Sequence, residues 1–444
     1  LFDRYVLNVS FRTDGSNNFG SDEQFNPTWS AGAVWHVSEE TFMEVVRPVL
    51  SRLSLRVATG YTGNINKTVK PNLMMKYYKN FRISDDENYR MGYINNAPNP
   101  KLRWEKTRDV KVALDFGLWK DRINGIVEAY WRKSKDCVTS EYVPVTTGFF
   151  NQSYNTSVLQ NNGVEFSLSV AVLKSKDYNL SVSANVAWNQ NKLKKYNSPN
   201  TSLALDKYVG YPMGAVFSGK YEGIDPETGM YKFKLRPDAV TNKDGYLREP
   251  NNYYYYLGTS VAPFTGGFNL NFSYKNIGLS VGGSYSVKAK MVDNIESPAG
   301  YELLSGSKLE SIPTPHNDLY RNHLNVKREV RNRWTPENRT GVKYPRLIDA
   351  YGKKLGLDLT NPTLTTITRG ALLEDISYLR INTIALSYSL PQRVLERINF
   401  SSAALNLTLN NFFTITKYSG IDPEVPGATY PVSRSVTIGL NVGF

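Results

Sequence analysis

The sequence predicts an all-β protein, a transmembrane antiparallel β-barrel of about twelve strands with long extracellular loops. Three observations carry this reading. Side chains alternate with a period of two along most of the chain, the polar face is built from small uncharged residues, and short links alternate with long ones. Successive side chains of a strand point to opposite faces, so sustained alternation marks a sheet whose two faces meet different surroundings.

The strands are read in chain order. Tyr5–Phe11, Trp29–Trp35 and Leu53–Tyr61 alternate weakly. Val110, Val112, Leu114, Phe116 and Leu118 make a clear apolar stripe, and a weaker one spans Ile123–Trp131. Val164–Val172 and Leu180–Trp188 repeat the pattern, the second against Ser181, Ser183, Asn185 and Asn189. Phe268–Tyr274 and Ile277–Tyr285 come next. Ile376–Tyr388 slips phase once at Asn382-Thr383, which predicts a β-bulge. Ala403–Leu409 and Val436–Phe444 complete the set. Most are near the roughly 9–11 residues with which a tilted strand crosses a bilayer.

A soluble sandwich would bury one face against a second sheet and set Lys, Glu and Thr outward. Here the face opposite the apolar one is rich in Gly, Ser, Asn and Thr, with charges expected to be sparse. That composition suits a hydrated lumen, with lipid against the apolar face. A large soluble β-protein is the alternative on composition alone.

The links separate the two. Trp119–Arg122, Lys174–Asp177 and Lys275-Asn276 are short, and Val37–Arg52 and Ser389–Ser401 hold modest insertions, the latter with a helical turn over Leu390–Arg397. Between them lie long polar links, Thr62–Thr107, Ser134–Asn161, Asn191–Gly267 and Val287–Glu374. Structureless loops of that size are uncommon in compact domains, and short turns at one end with long loops at the other are the outer-membrane arrangement. With the C-terminus placed at the periplasmic face, counting back through twelve strands places Leu1 there too.

The 444 residues carry 53 Lys+Arg against 40 Asp+Glu, a net charge of +13. The cations are dispersed rather than gathered on one element, so nucleic acid is not expected; rim cations suit lipopolysaccharide phosphates or an anionic solute. A single cysteine, Cys137, excludes a disulfide framework or multi-cysteine metal site, and no cofactor is implied. No apolar run reaches the ~18 residues of a membrane helix. The opening Leu1-Phe2-Asp3-Arg4-Tyr5 lacks Met and a signal region, as a mature or partial polypeptide would. Trp29, Trp35, Trp104, Trp119, Trp131 and Trp188 lie near strand ends, where interfacial girdles form.

Candidate chemistry is thin. His36 lies on a strand and His316 and His323 in one long loop, with no Gly-x-Ser-x-Gly elbow, so no catalytic residue and no metal ligand is assigned. Asp225 with Glu227, and Asp422 with Glu424, occupy two similar Asp-Pro-Glu segments that read as turns before they read as a carboxylate pair. Tyr253, Tyr254, Tyr255 and Trp334 are candidates for stacking on a bound solute, or for packing within the loops. A basic stretch from Arg321 to Arg333 suggests a short helix. Phe444 closes an alternating strand and is read as an assembly signal.

Several motifs in order along the chain resemble the SusC/RagA-type TonB-dependent transporters of the Bacteroidetes outer membrane. They include Arg12-Thr13-Asp14-Gly15-Ser16, Gly32–Glu40, Leu55–Asn64, Asn99–Thr107, Asn161–Glu165, Gly223–Gly229, Arg333–Asn338, Ser377–Ile381, Asn411–Thr414 and Tyr418–Glu424. Singly each is weak, and their order makes the resemblance specific. It implies that residues 1–444 are the C-terminal portion of a barrel of about 22 strands, with plug and first strands absent. It further implies TonB-dependent import of oligosaccharides or peptides with a SusD-like surface lipoprotein, and no enzyme activity. TonB would act through the missing portion, and a separate N-terminal plug-and-barrel chain would complete the wall. The rivals are a barrel enzyme, which requires a His–Ser pair within hydrogen-bond reach on the polar face, a self-contained twelve-stranded porin, and a secretion or assembly component on the same scaffold.

Overall fold

A computed structural model of the chain describes residues 4–20, 23–64, 74–77, 92–149, 151–196, 208–227, 229, 231–239, 252–292, 331–343, 369–426 and 430–444. His316, His323 and most of the Arg321–Arg333 stretch lie outside them. Two compact units are distinguished, one of residues 1–213 and 266–275 and one of 214–265 and 276–444.

In the first unit the strands are β1 (Tyr5–Gly15), β2 (Phe25–His36), β3 (Leu50–Asn64), β4 (Met74–Tyr77) and β5 (Gly92–Asn96). They continue as β6 (Glu105–Leu118), β7 (Ile123–Tyr142), β8 (Asn151–Lys174) and β9 (Tyr178–Tyr196). The second unit opens with β10 (Ala215–Gly219), β11 (Tyr221–Ile224), β12 (Tyr231–Phe233) and β13 (Tyr254–Thr259). Next along the chain are β14 (Phe264–Tyr274), most of it in the first unit, then β15 (Ile277–Val287), β16 (Lys290–Val292) and β17 (Leu373–Asp375). The chain ends with β18 (Tyr378–Ser389), α1 (Gln392–Ile398), β19 (Ser402–Thr416) and β20 (Ser435–Gly443). Twelve strands form one sheet in chain order, β1-β2-β3-β6-β7-β8-β9-β14-β15-β18-β19-β20. They are the twelve the alternation predicts.

Register shows why the alternation is so regular. Tyr5, Trp35, Leu55, Leu114, Val127, Phe166 and Val186 stand opposite one another across seven successive strands, one apolar row on one face. One residue along, His36, Ser54, Asp115, Ile126, Ser167 and Asn185 form the matching row on the other face, polar except for Ile126. The apolar face is the exposed one: Val57, Leu114, Val127, Val164, Phe166 and Val186 are all open. In the second unit Leu405, Leu407 and Leu409 stand against Leu440, Ile438 and Val436, and these too are exposed on β20. A sheet that turns its apolar rows outward is built for hydrocarbon.

Local chemistry accounts for details of the connections. Trp119, Lys120 and Asp121 all take left-handed backbone angles (φ 51, 57 and 61°) in the turn after β6, where the Asp121 N–H donates to Ser51 Oγ at 3.0 Å. The bulge predicted at Asn382 is present: pairing shifts between Gly282 and Gly283 on one side and between Ile381 and Thr383 on the other. The helical turn of 390–397 is α1, which starts after Pro391 and ends at left-handed Asn399. On the polar face Tyr130 lies over Gly163, where a Cβ would stand 2.4 Å from the ring, so the glycine of the Asn161–Glu165 motif makes room for an aromatic.

Three expectations need correction. Ser134–Asn161 is mostly not loop: β7 and β8 continue pairing from Cys137↔Ser157 to Tyr142↔Asn151 with two register shifts. Both faces of this extension lie beyond the apolar rows, so the residues carry no alternation to read. The links 62–107 and 191–267 likewise contain the strand pairs β4–β5, β10–β13 and β11–β12. Trp104 is no girdle residue. It is 4% exposed, stacks on Phe19 at 4.6 Å between centroids, packs beside Leu102 and donates its indole N–H to Gln24 O.

Candidate functional site

The polar face of the first unit forms a groove of about 550 Å³, lined by His36, Ser54, Arg56, Asp115, Asn124 and Asn185 among others. Charges here are not sparse, contrary to the sequence reading. Arg56 grips Asp115 with both ends of its guanidinium, at 2.5 and 3.0 Å. Lys111 pairs with Glu128 at 3.1 Å, and Arg132 with Asp109 at 2.8 Å. Arg52 donates to Asn124 Oδ1 at 2.7 Å, and Asn185 Oδ1 accepts from the Gly267 N–H at 3.0 Å. The partners of each ion pair are 17 to 59 residues apart in sequence, so only strand register brings them together. Each pair is half-exposed and neutral overall, which gives a hydrated wall with alternating charge rather than a surface of one sign.

This face also holds the geometry that a barrel enzyme would require. His36 Nδ1 and Ser54 Oγ lie 3.0 Å apart. The row reads His36–Ser54–Asp115, however, with serine in the middle, whereas a triad places histidine between serine and carboxylate. Asp115 is committed to Arg56, and Ser54 is 5% exposed, closed to a substrate. The pair is a cross-strand hydrogen bond, not a nucleophile and its base.

The two Asp-Pro-Glu segments are turns. Glu227 N–H donates to Asp225 Oδ1 at 3.0 Å, and Glu424 N–H to Asp422 Oδ1 at 3.0 Å, the same side-chain-to-backbone closure in each. The second is also an anchor: Arg380 forms a buried ion pair with Asp422 and reaches Glu424 Oε2 at 3.3 Å. The structure thus joins two of the motifs, Ser377–Ile381 and Tyr418–Glu424.

Of the aromatic candidates, Tyr254 and Tyr255 stand half-buried in β13, with Tyr253 just before it. Tyr255 donates its hydroxyl to Leu235 O at 2.9 Å, and Tyr256 packs on Phe217 at 5.7 Å. Trp334 is 6% exposed and its indole N–H bonds Pro226 O at 2.9 Å, closing the first Asp-Pro-Glu turn rather than offering a free ring. Phe444 is 91% exposed, its ring edge-on to Phe400 at 5.1 Å. Cys137 is buried in the register shift of β7.

A sheet with an exposed apolar face and a hydrated, ion-paired face is the wall of a membrane β-barrel. The family "TonB dependent receptor-like, beta-barrel" matches residues 1–295, and the chain belongs to it. Members of this kind are outer-membrane β-barrel proteins. The chain is 26% identical to the TonB-dependent receptor P26 of Formosa agariphila over all of its own length and 45% of the relative's. It is also 26% identical to the TonB-dependent receptor SusC of Bacteroides thetaiotaomicron, over all of this chain and 42% of that one. The solved RagAB peptide transporter is similar in structure, with a TM-score of 0.77, 26% identity, and coverage of 99% of this chain and 46% of that one. The chain therefore spans less than half the length of the relatives it matches.

Proposed function

We propose that the chain is the C-terminal wall and loop region of a TonB-dependent importer that carries oligosaccharides or peptides across the outer membrane with a SusD-like surface lipoprotein. The observation that carries this is the two-faced row: apolar side chains outward across seven strands, paired charges and amides one residue away. Such a wall holds a water-filled passage against lipid. The likeness to SusC and to the RagAB peptide transporter supports the substrate class and the lipoprotein lid. In this reading the long links are extracellular, the short turns and the C-terminus are periplasmic, and the basic rim meets lipopolysaccharide. Tyr253, Tyr254 and Tyr255 contribute to the solute-facing or lid-facing surface, and Phe444 serves barrel assembly. The chain matches less than half of SusC, so in this reading the plug, the TonB contact and the remaining strands belong to the portion of the receptor that residues 1–444 do not cover.

The test is uptake. Cells deleted for the intact receptor should lose accumulation of members of a fluorescent oligosaccharide and peptide panel, and regain it only when TonB is functional. Unchanged accumulation across the whole panel, or recovery without TonB, would refute the proposal.

A further inference from the structure

The link between β2 and β3 carries an unusual surface. Residues 41–49 run through a 3-10 turn (Thr41–Met43) and a series of hydrogen-bonded turns, with Arg47 N–H bonded to Met43 O at 3.0 Å and Leu50 N–H to Val46 O at 2.8 Å. Phe42, Val45, Val46 and Val49 recur three or four residues apart along these turns. A helix on a soluble protein turns such a stripe inward. Here Met43 is buried instead, and the four are 64%, 89%, 43% and 52% exposed.

The segment is fixed in place, so this exposure is not that of a loose loop. Glu40, which opens it, accepts from Tyr5 Oη at 2.6 Å, from Trp35 Nε1 at 3.1 Å and from Arg4 Nη1 at 3.1 Å. Arg47 returns to Ser38 O at 2.7 Å and to Glu39 at 3.1 Å. Tyr5 and Trp35 are stacked, and they begin the apolar row that runs to Val186. Glu40 therefore brings the link back against the outward face at the level of an aromatic pair, the place where such residues mark a membrane boundary.

We propose that residues 41–49 are a membrane foot, a lipid-interface anchor that rests Phe42, Val45, Val46 and Val49 in the headgroup–acyl boundary at the short-turn end of the barrel. The occupant is lipid because the exposed stripe continues a face that hydrocarbon already covers in this family. The segment holds Arg47 as its sole cation, paired with Glu39, so apolar area rather than attraction to anionic headgroups drives the contact. The anchor stiffens the edge of the barrel nearest β1 and stands apart from the import reading.

Single-cysteine probes test it in the intact receptor, reconstituted in phosphatidylethanolamine and phosphatidylglycerol vesicles; this chain's own Cys137 is buried. Phe42→Cys and Val45→Cys are labelled with a small fluorophore and compared with Glu44→Cys, exposed in the same segment but off the stripe. The foot predicts that lipids with nitroxide-bearing acyl chains quench the first two and not the third, and that a water-soluble maleimide modifies Phe42→Cys and Val45→Cys about tenfold more slowly than Glu44→Cys. Labels at 42 and 45 that escape lipid quenching overturn the proposal, whether they react as fast as position 44 (open water) or slowly (a covering protein).

Discussion

Arg380 on β18 reaches across to Asp422 in the segment between β19 and β20, and the two form an ion pair 2% and 6% exposed. Asp422 also accepts the N–H groups of Glu424 and Val432, each at 3.0 Å, so one carboxylate ties both of these residues to β18 through Arg380. The guanidinium lies over the Tyr378 ring at 5.8 Å, and its Nε has no hydrogen-bond partner among the described residues. Arg380→Met removes the cation and leaves a buried carboxylate uncompensated. The expected loss is about 3–5 kcal/mol of local stability, read as a lower temperature for the heat-dependent mobility shift of the barrel. Arg380→Met with Asp422→Asn should recover part of it, because the neutral amide removes the buried charge while its oxygen still accepts one of the two N–H groups.

The same pair sets a pH window. Burial opposes ionisation of Asp422, but the two N–H donors and the Arg380 cation outweigh it, and the carboxyl lies below its ordinary 3.8. A carboxyl lowered by folding stabilises the native state fully above its unfolded pKa and loses that contribution as pH falls through the folded value. Proteolysis within 417–434 should therefore be constant from neutral pH down to about 5 and accelerate only below about 4. In Asp422→Asn this acid step should vanish.

On the polar face, Asp115→Asn breaks the two-pronged grip of Arg56 but leaves it partly solvated. Exposed pairs contribute about 0.2–1 kcal/mol, so the yield of assembled barrel should hold. If the polar face lines the proposed passage, uptake rate or single-channel conductance should change, because Arg56 would then stand there without its carboxylate. Loss of assembly with unchanged transport in the surviving fraction would contradict this placement.

Phe444→Asp puts a charge at the end of the β20 apolar row. The direct cost near an interface is about 0–1 kcal/mol, so folded barrels should be nearly as heat-stable as the parent. The number of assembled barrels should nonetheless fall. Equal outer-membrane amounts of variant and parent would remove Phe444 from any role in assembly.

Trp334→Ala should loosen the 223–229 turn, because the indole both fills a buried site and bonds Pro226 O. A buried tryptophan truncated to alanine costs about 3–5 kcal/mol, visible as new cleavage in that turn. Tyr254→Ala should leave the turn intact and alter solute or lid binding.

The wall was legible because membrane strands impose one rule on every second residue. Even the slip at Asn382 showed, since a single extra residue inverts the alternation for the rest of the strand. The hidden features depended on register. Arg56 and Asp115 sit 59 residues apart with nothing local to link them, so a face that reads as Gly, Ser and Asn turned out to carry paired charges. The same holds for His36 with Ser54, and for Arg380 with Asp422. Beyond the bilayer the rule lapses, which is why the extensions of β7 and β8 past Ser134 read as loop and why Trp104 read as a girdle residue when it is core.

The proposed barrel wall rests on one contrast: Leu114 on the exposed apolar row should face hydrocarbon, and Ser167 on the polar row should face water. Leu114 stands between Leu55 and Val127, and Ser167 between Ile126 and Asn185, so the two positions lie on opposite faces of one sheet. Leu114→Arg and Ser167→Arg, expressed side by side in the intact receptor, measure the difference as heat-modifiable barrel in the outer membrane. A cation facing lipid costs up to about 2–4 kcal/mol, less toward an interface, so Leu114→Arg should deplete assembled barrel while Ser167→Arg assembles at nearly the parent level. Equal depletion, or the reverse order, would contradict the assignment of the two faces and the wall built upon it.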